Sequence, residues 1–260
     1  MIRRRLYTEV RISRLAVLSR RIAIFSLPVV LLAVALHRFG LVEYTVGFAT
    51  LAAGLGVAVV AGLCALAAFV VIWNEGPRGL DRAIAACVIA LLVLGYPAIE
   101  LMRGATQPAI SDITTDAADP PRFQAVALAR PRGANAVAYP GIAAATLQRV
   151  AYPGIKPIEI DASADEAYNI MLSIVERRGW RVLDSLPPRG AERDGRIEAV
   201  AQTLIMGFRE DVVIRVRAVE RGVRVDMRSA SRYGSHDLGS NARRIESTFA
   251  EFADTRRRGR

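Results

Sequence analysis

Apolar residues run almost unbroken through three stretches of the first 103 positions, about 22–38, 46–73 and 83–102, and then give way to shorter periodic patterns. Each stretch approaches or exceeds the roughly 20 residues needed to cross a hydrocarbon core, although the first is short and carries Pro28. The pattern predicts a three-helix transmembrane anchor over 1–103. A secretory signal peptide is the rival reading of the first stretch, but no small-residue cleavage site precedes Arg38 and two more spans follow.

From 104 to 155 the chain is rich in Pro, Ala, Gly and Asp, with Asp119-Pro120-Pro121, Tyr139-Pro140-Gly141 and Tyr152-Pro153-Gly154 as punctuation. Such composition predicts an extended linker with one short helix over 142–150. It serves either as a tether or as a strap laid along the following domain; Phe123, Tyr139 and Tyr152 favour some docking. Regular periodicity starts after Pro157. A short strand over 158–160 precedes Ser163 and Glu166, a capping box, and a helix with Ala167, Ile170, Met171, Ile174 and Val175 on one face that ends at Gly179. Strands are expected over 180–186 and 196–202, and then a hairpin.

Hairpin register follows from the side-chain alternation. Val212, Ile214 and Val216 face inward on one strand, and Val223, Val225 and Met227 on the next, so paired residues must sum to an odd number. A two-residue turn then pairs Val219 with Gly222, Arg217 with Arg224 and Arg215 with Asp226. Arg215, Arg217, Arg224 and Arg228 gather with one acid, Asp226, on the face away from the core. Like charges opposite one another are unfavourable, so this face reads either as solvated, splayed side chains or as an anion-binding surface. A last helix starts near Asp237, an N-cap, with an apolar stripe at Leu238, Ala242, Ile245, Phe249 and Phe252. The expected product over 156–260 is an α+β domain, an antiparallel sheet of about five strands covered by two helices.

The charge pattern adds orientation. Arg3, Arg4, Arg5, Arg11, Arg14, Arg20 and Arg21 precede the first span, and Arg78 and Arg82 lie between the second and third. The positive-inside rule puts both regions in the cytoplasm. Three spans then place everything after Met102 in the periplasm of a bacterium; two would reverse this. The net charge of +10 comes with 34 arginines against one lysine, Lys156, a bias that reads as genomic as much as functional. Export would also separate the basic domain from nucleic acid. Spans two and three carry no ionisable residue in their interiors, which argues against a transport path. Small residues four apart in span two (Ala52 and Gly56, Gly54 and Ala58, Ala58 and Gly62) suit close helix packing, within the chain, in a homo-oligomer or against another membrane protein. Cys64 and Cys87 lie inside spans and have no disulfide or metal partner at sequence spacing. No cofactor motif or metal-ligand spacing is found.

Between Val225 and Ile245 a strand hands over to a helix amid arginine, hydroxyl and amide side chains. Arg228 and Arg232, Gly234 and Gly239, and the helix N-terminus all favour anions there, while Asp237 already occupies that N-terminus. The same residues could instead fix a corner, with Asn241 bonding the loop backbone and Arg232 or Arg244 pairing with an acid. At Glu198-Ala-Val-Ala-Gln-Thr203, Phe208 with Asp211-Val-Val-Ile-Arg215, and Arg228-Ser-Ala-Ser231-Arg232 through Asp237, Gly239, Asn241, Arg244 and Ile245, the chain resembles domain-of-unknown-function family 1499 in its long, membrane-spanning form. The resemblance covers about Asp112 to Phe252 and implies no established activity.

The ligand-binding candidates are therefore Arg215, Arg217, Arg224, Arg228, Arg232, Ser229, Ser231, Asp237, Asn241 and Arg244. The leading expectation is a non-enzymatic inner-membrane protein whose periplasmic domain binds an anionic envelope component or a partner protein. A hydrolase of esterase or phosphatase type centred on His236 is one alternative, since Ser229, Ser231, Ser235, His236 and Asp237 supply triad residue types, although sequence neighbours rarely have triad geometry. An assembly scaffold acting through the spans is the other.

Overall fold

In the computed structural model, residues 11–190 and 192–258 are described. Arg3, Arg4 and Arg5, used in the orientation argument, lie outside them. The chain divides into two compact units, Met1–Leu101 and Met102–Arg260.

The first unit is built on three helices, α1 (Arg14–Arg38), α2 (Tyr44–Glu75) and α3 (Leu80–Gly104), each long and apolar enough to cross a membrane. α1 begins ahead of the expected position 22 because Ser13 caps it, its hydroxyl accepting the Ala16 N–H at 3.4 Å. Gly54, Ala58, Ala61, Ala65 and Ala68 form the buried row of α2. At Gly54 a Cβ would come within 2.8 Å of Val30 on α1, so glycine there permits the close approach. Ala52 and Gly56 face outward instead. Arg11 and Ser13 exchange backbone hydrogen bonds with Arg78, each 2.9 Å, so the start of α1 and the α2–α3 loop share one end of the bundle.

The second unit is an antiparallel sheet of six strands with helices. β1 (Asp112–Thr114), β2 (Ile158–Ile160), β3 (Arg181–Leu186), β4 (Gly195–Gln202), β5 (Arg209–Val219) and β6 (Gly222–Ser231) are ordered β1-β6-β5-β4-β3, with β2 also on β6. The β5–β6 register is the expected one: Val219 pairs with Gly222, Arg217 with Arg224 and Arg215 with Asp226. β1 and β2 lie along the other edge of β6, against 228–230 and 223–225 respectively.

One face of the sheet carries the main apolar core. Ile197, Val212, Ile214, Val216, Val223, Val225 and Met227 pack with Met171, Ile174 and Val175 of α6 (Ala164–Arg177) and Ala242, Ile245 and Phe252 of α7 (Ser240–Arg258). Each such fully buried aliphatic side chain contributes about 1.5–3 kcal/mol. α6 starts at the Ser163 cap, 3.1 Å from the Glu166 N–H, and ends at Gly179, whose φ of 66° suits glycine.

The segment 104–155, expected to be an extended linker, is part of this unit. It supplies β1, the short helix α4 (Ala125–Ala129) and α5 (Ile142–Ala151), the helix anticipated near 142–150. The side-chain amide of Gln148 on α5 mimics a strand, donating to the Thr114 carbonyl at 2.6 Å and accepting its N–H at 3.1 Å. Phe123 and Val126 close a second small core with Val213 and Ala230 on the far face of the sheet.

Candidate functional site

Strand alternation governs the handover stretch. Along β6 the even residues face the 112–139 segment and the odd ones face α6 and α7. Arg228 and Arg232 therefore point to one side, and Ser229 and Ser231 to the other. The ten candidate residues form two polar clusters on opposite faces of the sheet.

On the segment face every candidate arginine meets carboxylates. Arg228 is 2% exposed and grips Asp112 in a bidentate pair, Nε to Oδ1 at 2.9 Å and Nη2 to Oδ2 at 2.6 Å. It also donates to the Pro121 and Val137 carbonyls, and its guanidinium lies 4.6 Å from the Phe123 ring centroid and 5.5 Å from that of Tyr139. Arg232 donates from Nε to Asp211 at 2.9 Å, and Arg130 reaches the other oxygen of the same carboxylate at 2.7 Å. Asp226, fully buried, accepts from Arg215 and Arg224. The close approach of Arg217 to Arg224 is relieved by the segment: Asp119 bridges Arg215 and Arg217 at 2.9 and 3.1 Å, and Asp116 takes Arg224 at 2.6 Å. The expected anion-binding face is thus neutralised by acids of the chain itself. Composition alone hid this, because Asp112, Asp116 and Asp119 sit in a Pro-rich stretch that looked like linker.

The helix-face cluster is smaller. The Ser229 hydroxyl donates to Asn241 Oδ1 at 2.7 Å and accepts from Arg244 at 2.9 Å. Ser231 and Ser240 donate to Glu210, which also pairs with Arg244. Asn241 Nδ2 donates to the Ser111 carbonyl and to Ser231, tying β1, β6 and α7 together. The expected N-cap, Asp237, is displaced: α7 begins three positions later, at Ser240, and Gly239 takes the cap position, but Asp237 still bonds the start of the helix. Its two oxygens accept the Gly239 and Asn241 N–H groups at 2.8 and 3.0 Å. Leu238, between Asp237 and Gly239, adopts φ 52°, a left-handed conformation that costs a β-carbon residue about 1–3 kcal/mol. His236 holds that turn: its Nδ1 accepts the Leu238 N–H at 2.9 Å, and its Nε2 lies 3.1 Å from the Gln107 carbonyl. This arrangement fixes the tautomer with the proton on Nε2 and leaves His236 bonded to backbone at both nitrogens. The hydroxyls of Ser229 and Ser231 are buried and bonded to Asn241 and Glu210, so neither is brought to His236 as the hydrolase alternative requires.

Burial pushes Asp112 and Asp237 above the usual aspartate value of 3.8; hydrogen bonds from Arg228, and from Asn241 and Gly239 respectively, only partly offset it. Burial acts to raise Asp119, but Arg215 and Arg217 together outweigh it and hold this exposed carboxyl below that value.

Two acids carry roles that spacing did not suggest. Glu198, completely buried, accepts the Gln124 and Val126 N–H groups at 2.9 Å and so receives the start of α4. Glu210 organises the helix-face cluster. Both lie in or beside the motif residues, and their buried strand positions were the available signal. Among the described residues, no group of three or more His, Cys, Asp or Glu side chains is placed to hold a metal ion.

A cleft of about 480 Å³ is lined by Asp119, Arg122, Phe123, Tyr139 and Arg228, among others. The Tyr139 hydroxyl is buried without a hydrogen-bond partner, and burial and nearby Asp112 push its pKa upward. Arg228 keeps one of its five N–H donors, on Nη1, outside the hydrogen bonds to Asp112, Pro121 and Val137.

No curated protein and no solved structure matches the chain significantly. A family model, described as a protein of unknown function (DUF1499), matches residues 112–252, more than half of the chain, and takes in both polar clusters and the acids that pair with their arginines. The chain belongs to the DUF1499 family.

Proposed function

We propose that the chain is a bacterial inner-membrane protein with a periplasmic domain that binds a partner protein, without catalysis, in the cleft beside Arg228 and Tyr139. Among the described residues three apolar helices make an odd number of crossings, and arginines cluster before α1 and in the α2–α3 loop. That distribution supports a cytoplasmic N-terminus and a periplasmic domain. Pairing of the candidate arginines with the domain's own acids carries the choice of ligand class. A polyanion gains little net attraction on a face where Asp112, Asp116, Asp119, Asp211 and Asp226 already answer the arginines, whereas a peptide carbonyl can take single donors at an aromatic-lined cleft. The anionic envelope component is the weaker of the two expected ligands on this ground.

Two experiments test the reading. An alkaline phosphatase fused after Arg260 is active in cells and a fluorescent protein fused there is dark; the reverse pattern refutes the periplasmic assignment. A photoreactive residue at Ala138 or Arg122 yields a discrete crosslinked adduct in cells, and one at Glu220 in the β5–β6 turn does not. Equal crosslinking at all three positions removes the cleft. The outward Ala52 and Gly56 of α2 support a scaffold role through the spans as a second reading, which predicts that 1–103 alone complements a deletion.

A further inference from the structure

The large exposed apolar side chains of the second unit are unevenly placed. α5 buries Ala144 and Gln148 and leaves Ile142 (87% exposed), Leu147 (48%) and Val150 (80%) in the open. With Ala143 and Thr146 these residues occupy one continuous stripe, at i, i+1, i+4, i+5 and i+8 of the helix. The helix has no acidic residue; its one charge is Arg149, and Lys156 follows shortly after. The β4–β5 turn adds exposed Leu204 and Ile205. At the other end of the sheet, the β5–β6 turn and the β3–β4 loop present Glu220, Arg221, Arg189 and Asp194, with Val219 the only large apolar side chain exposed there among the described residues.

Both greasy elements lie at the sheet end where the chain arrives from α3. Residue 202 of β4 pairs with 209 of β5, and Arg232 follows β6 to bond the Arg209 carbonyl, so the β4–β5 turn sits beside the β6–α7 corner. At that corner a Cβ on Gly239 would lie 3.3 Å from the Tyr152 hydroxyl and 3.6 Å from Gln107 Cγ. Tyr152 ends α5, and Gln107 lies three residues beyond Gly104, the last residue of α3. Three residues span at most about 10 Å. These contacts, with the short connection from Gly104 to Gln107, put the C-terminal end of α5 near the point where the third apolar helix ends.

We infer that α5 lies on the surface of the bilayer crossed by α1–α3, with Ile142, Leu147 and Val150 among the lipid chains near the headgroups and Arg149 beside anionic headgroups. A continuous apolar helix face with a cationic flank and no acid is the pattern of an interfacial helix. The bilayer is the occupant because the last apolar helix ends three residues before Gln107, beside the corner to which Tyr152 at the end of α5 also comes. Such a contact restrains the domain and sets which of its surfaces face away from the membrane.

The test uses the full chain with Cys64→Ala and Cys87→Ala, in nanodiscs of phosphatidylethanolamine and phosphatidylglycerol. Spin labels are placed at Ile142→Cys, Val150→Cys and, as a control, Glu220→Cys, all at exposed positions. Labels at 142 and 150 should collide with oxygen in preference to a water-soluble nickel complex, with the opposite preference at 220. The same aqueous preference at all three positions overturns the inference. So does a short distance between 150 labels on two copies, which would mark a second chain as the occupant.

Discussion

The two faces of the sheet are both buried, yet by opposite chemistry. The helix face is closed by aliphatic side chains of α6 and α7; the segment face is closed largely by arginine–carboxylate pairs contributed by β5, β6 and residues 112–139. Apolar closure tolerates small shifts and fails in proportion to the cavity left. Ionic closure depends on both members of each pair, because removing one leaves an uncompensated charge out of water. The segment face therefore fixes register and strap position, while the helix face supplies most of the favourable burial.

The largest effects come from the centres of the two faces. Arg228→Ala, with Asp112 left buried and unpaired, should destabilise the domain by about 3–5 kcal/mol. Ile214→Ala on the helix face should cost about 2–5 kcal/mol through its cavity. Chemical denaturation of the full chain in nanodiscs, followed by native-state hydrogen exchange of the β5 and β6 amides, measures both. Next is Asn241→Ala, which strips partners from the Ser111 carbonyl, Ser229 and Ser231 and should cost about 1–3 kcal/mol. At the rim, Arg217 is one-third exposed and shares its acids, so Arg217→Ala should change stability by about 1 kcal/mol or less.

A pH titration sharpens the same contrast. Asp237 has its folded pKa raised by burial, so the folded state keeps that proton to higher pH than the unfolded chain does. Its ionisation costs stability as pH rises from 3.8 through the folded value. Asp119 has the opposite sign: its contribution is present above 3.8 and is lost as pH falls through its lowered folded value. Asp237→Asn should reduce the loss of stability on raising pH, and Asp119→Asn should reduce the loss on lowering it, with a smaller amplitude because Asp119 is exposed.

Much of this frame was readable from residues alone. Alternation of Val212 to Val216 against Val223 to Met227 fixed the hairpin register, and Ser163 with Glu166 marked the start of α6, because both signals are local. What escaped was non-local. Asp112 meets Arg228 across 116 positions of sequence, and Asp119 meets Arg215 across 96, so no window of periodicity contains either pair. β1 has three residues, too few for an alternating pattern, and its role emerges only from pairing with β6. The handover stretch looked like one site because its polar residues are consecutive; in a strand, consecutive residues belong to opposite faces.

The central claim is that the arginine-rich stretch of β5 and β6 closes the domain internally. A double-mutant cycle on Asp112 and Arg228 tests it most directly, with Asp112→Leu, Arg228→Met and the pair measured by hydrogen exchange of the β6 amides. Each single change should destabilise strongly and the double change should recover most of the loss, giving a coupling energy of about 2 kcal/mol or more. Additive single effects, or an Arg228→Met protein as stable as the parent, would show that the Asp112–Arg228 pair does not close the domain and would contradict the account.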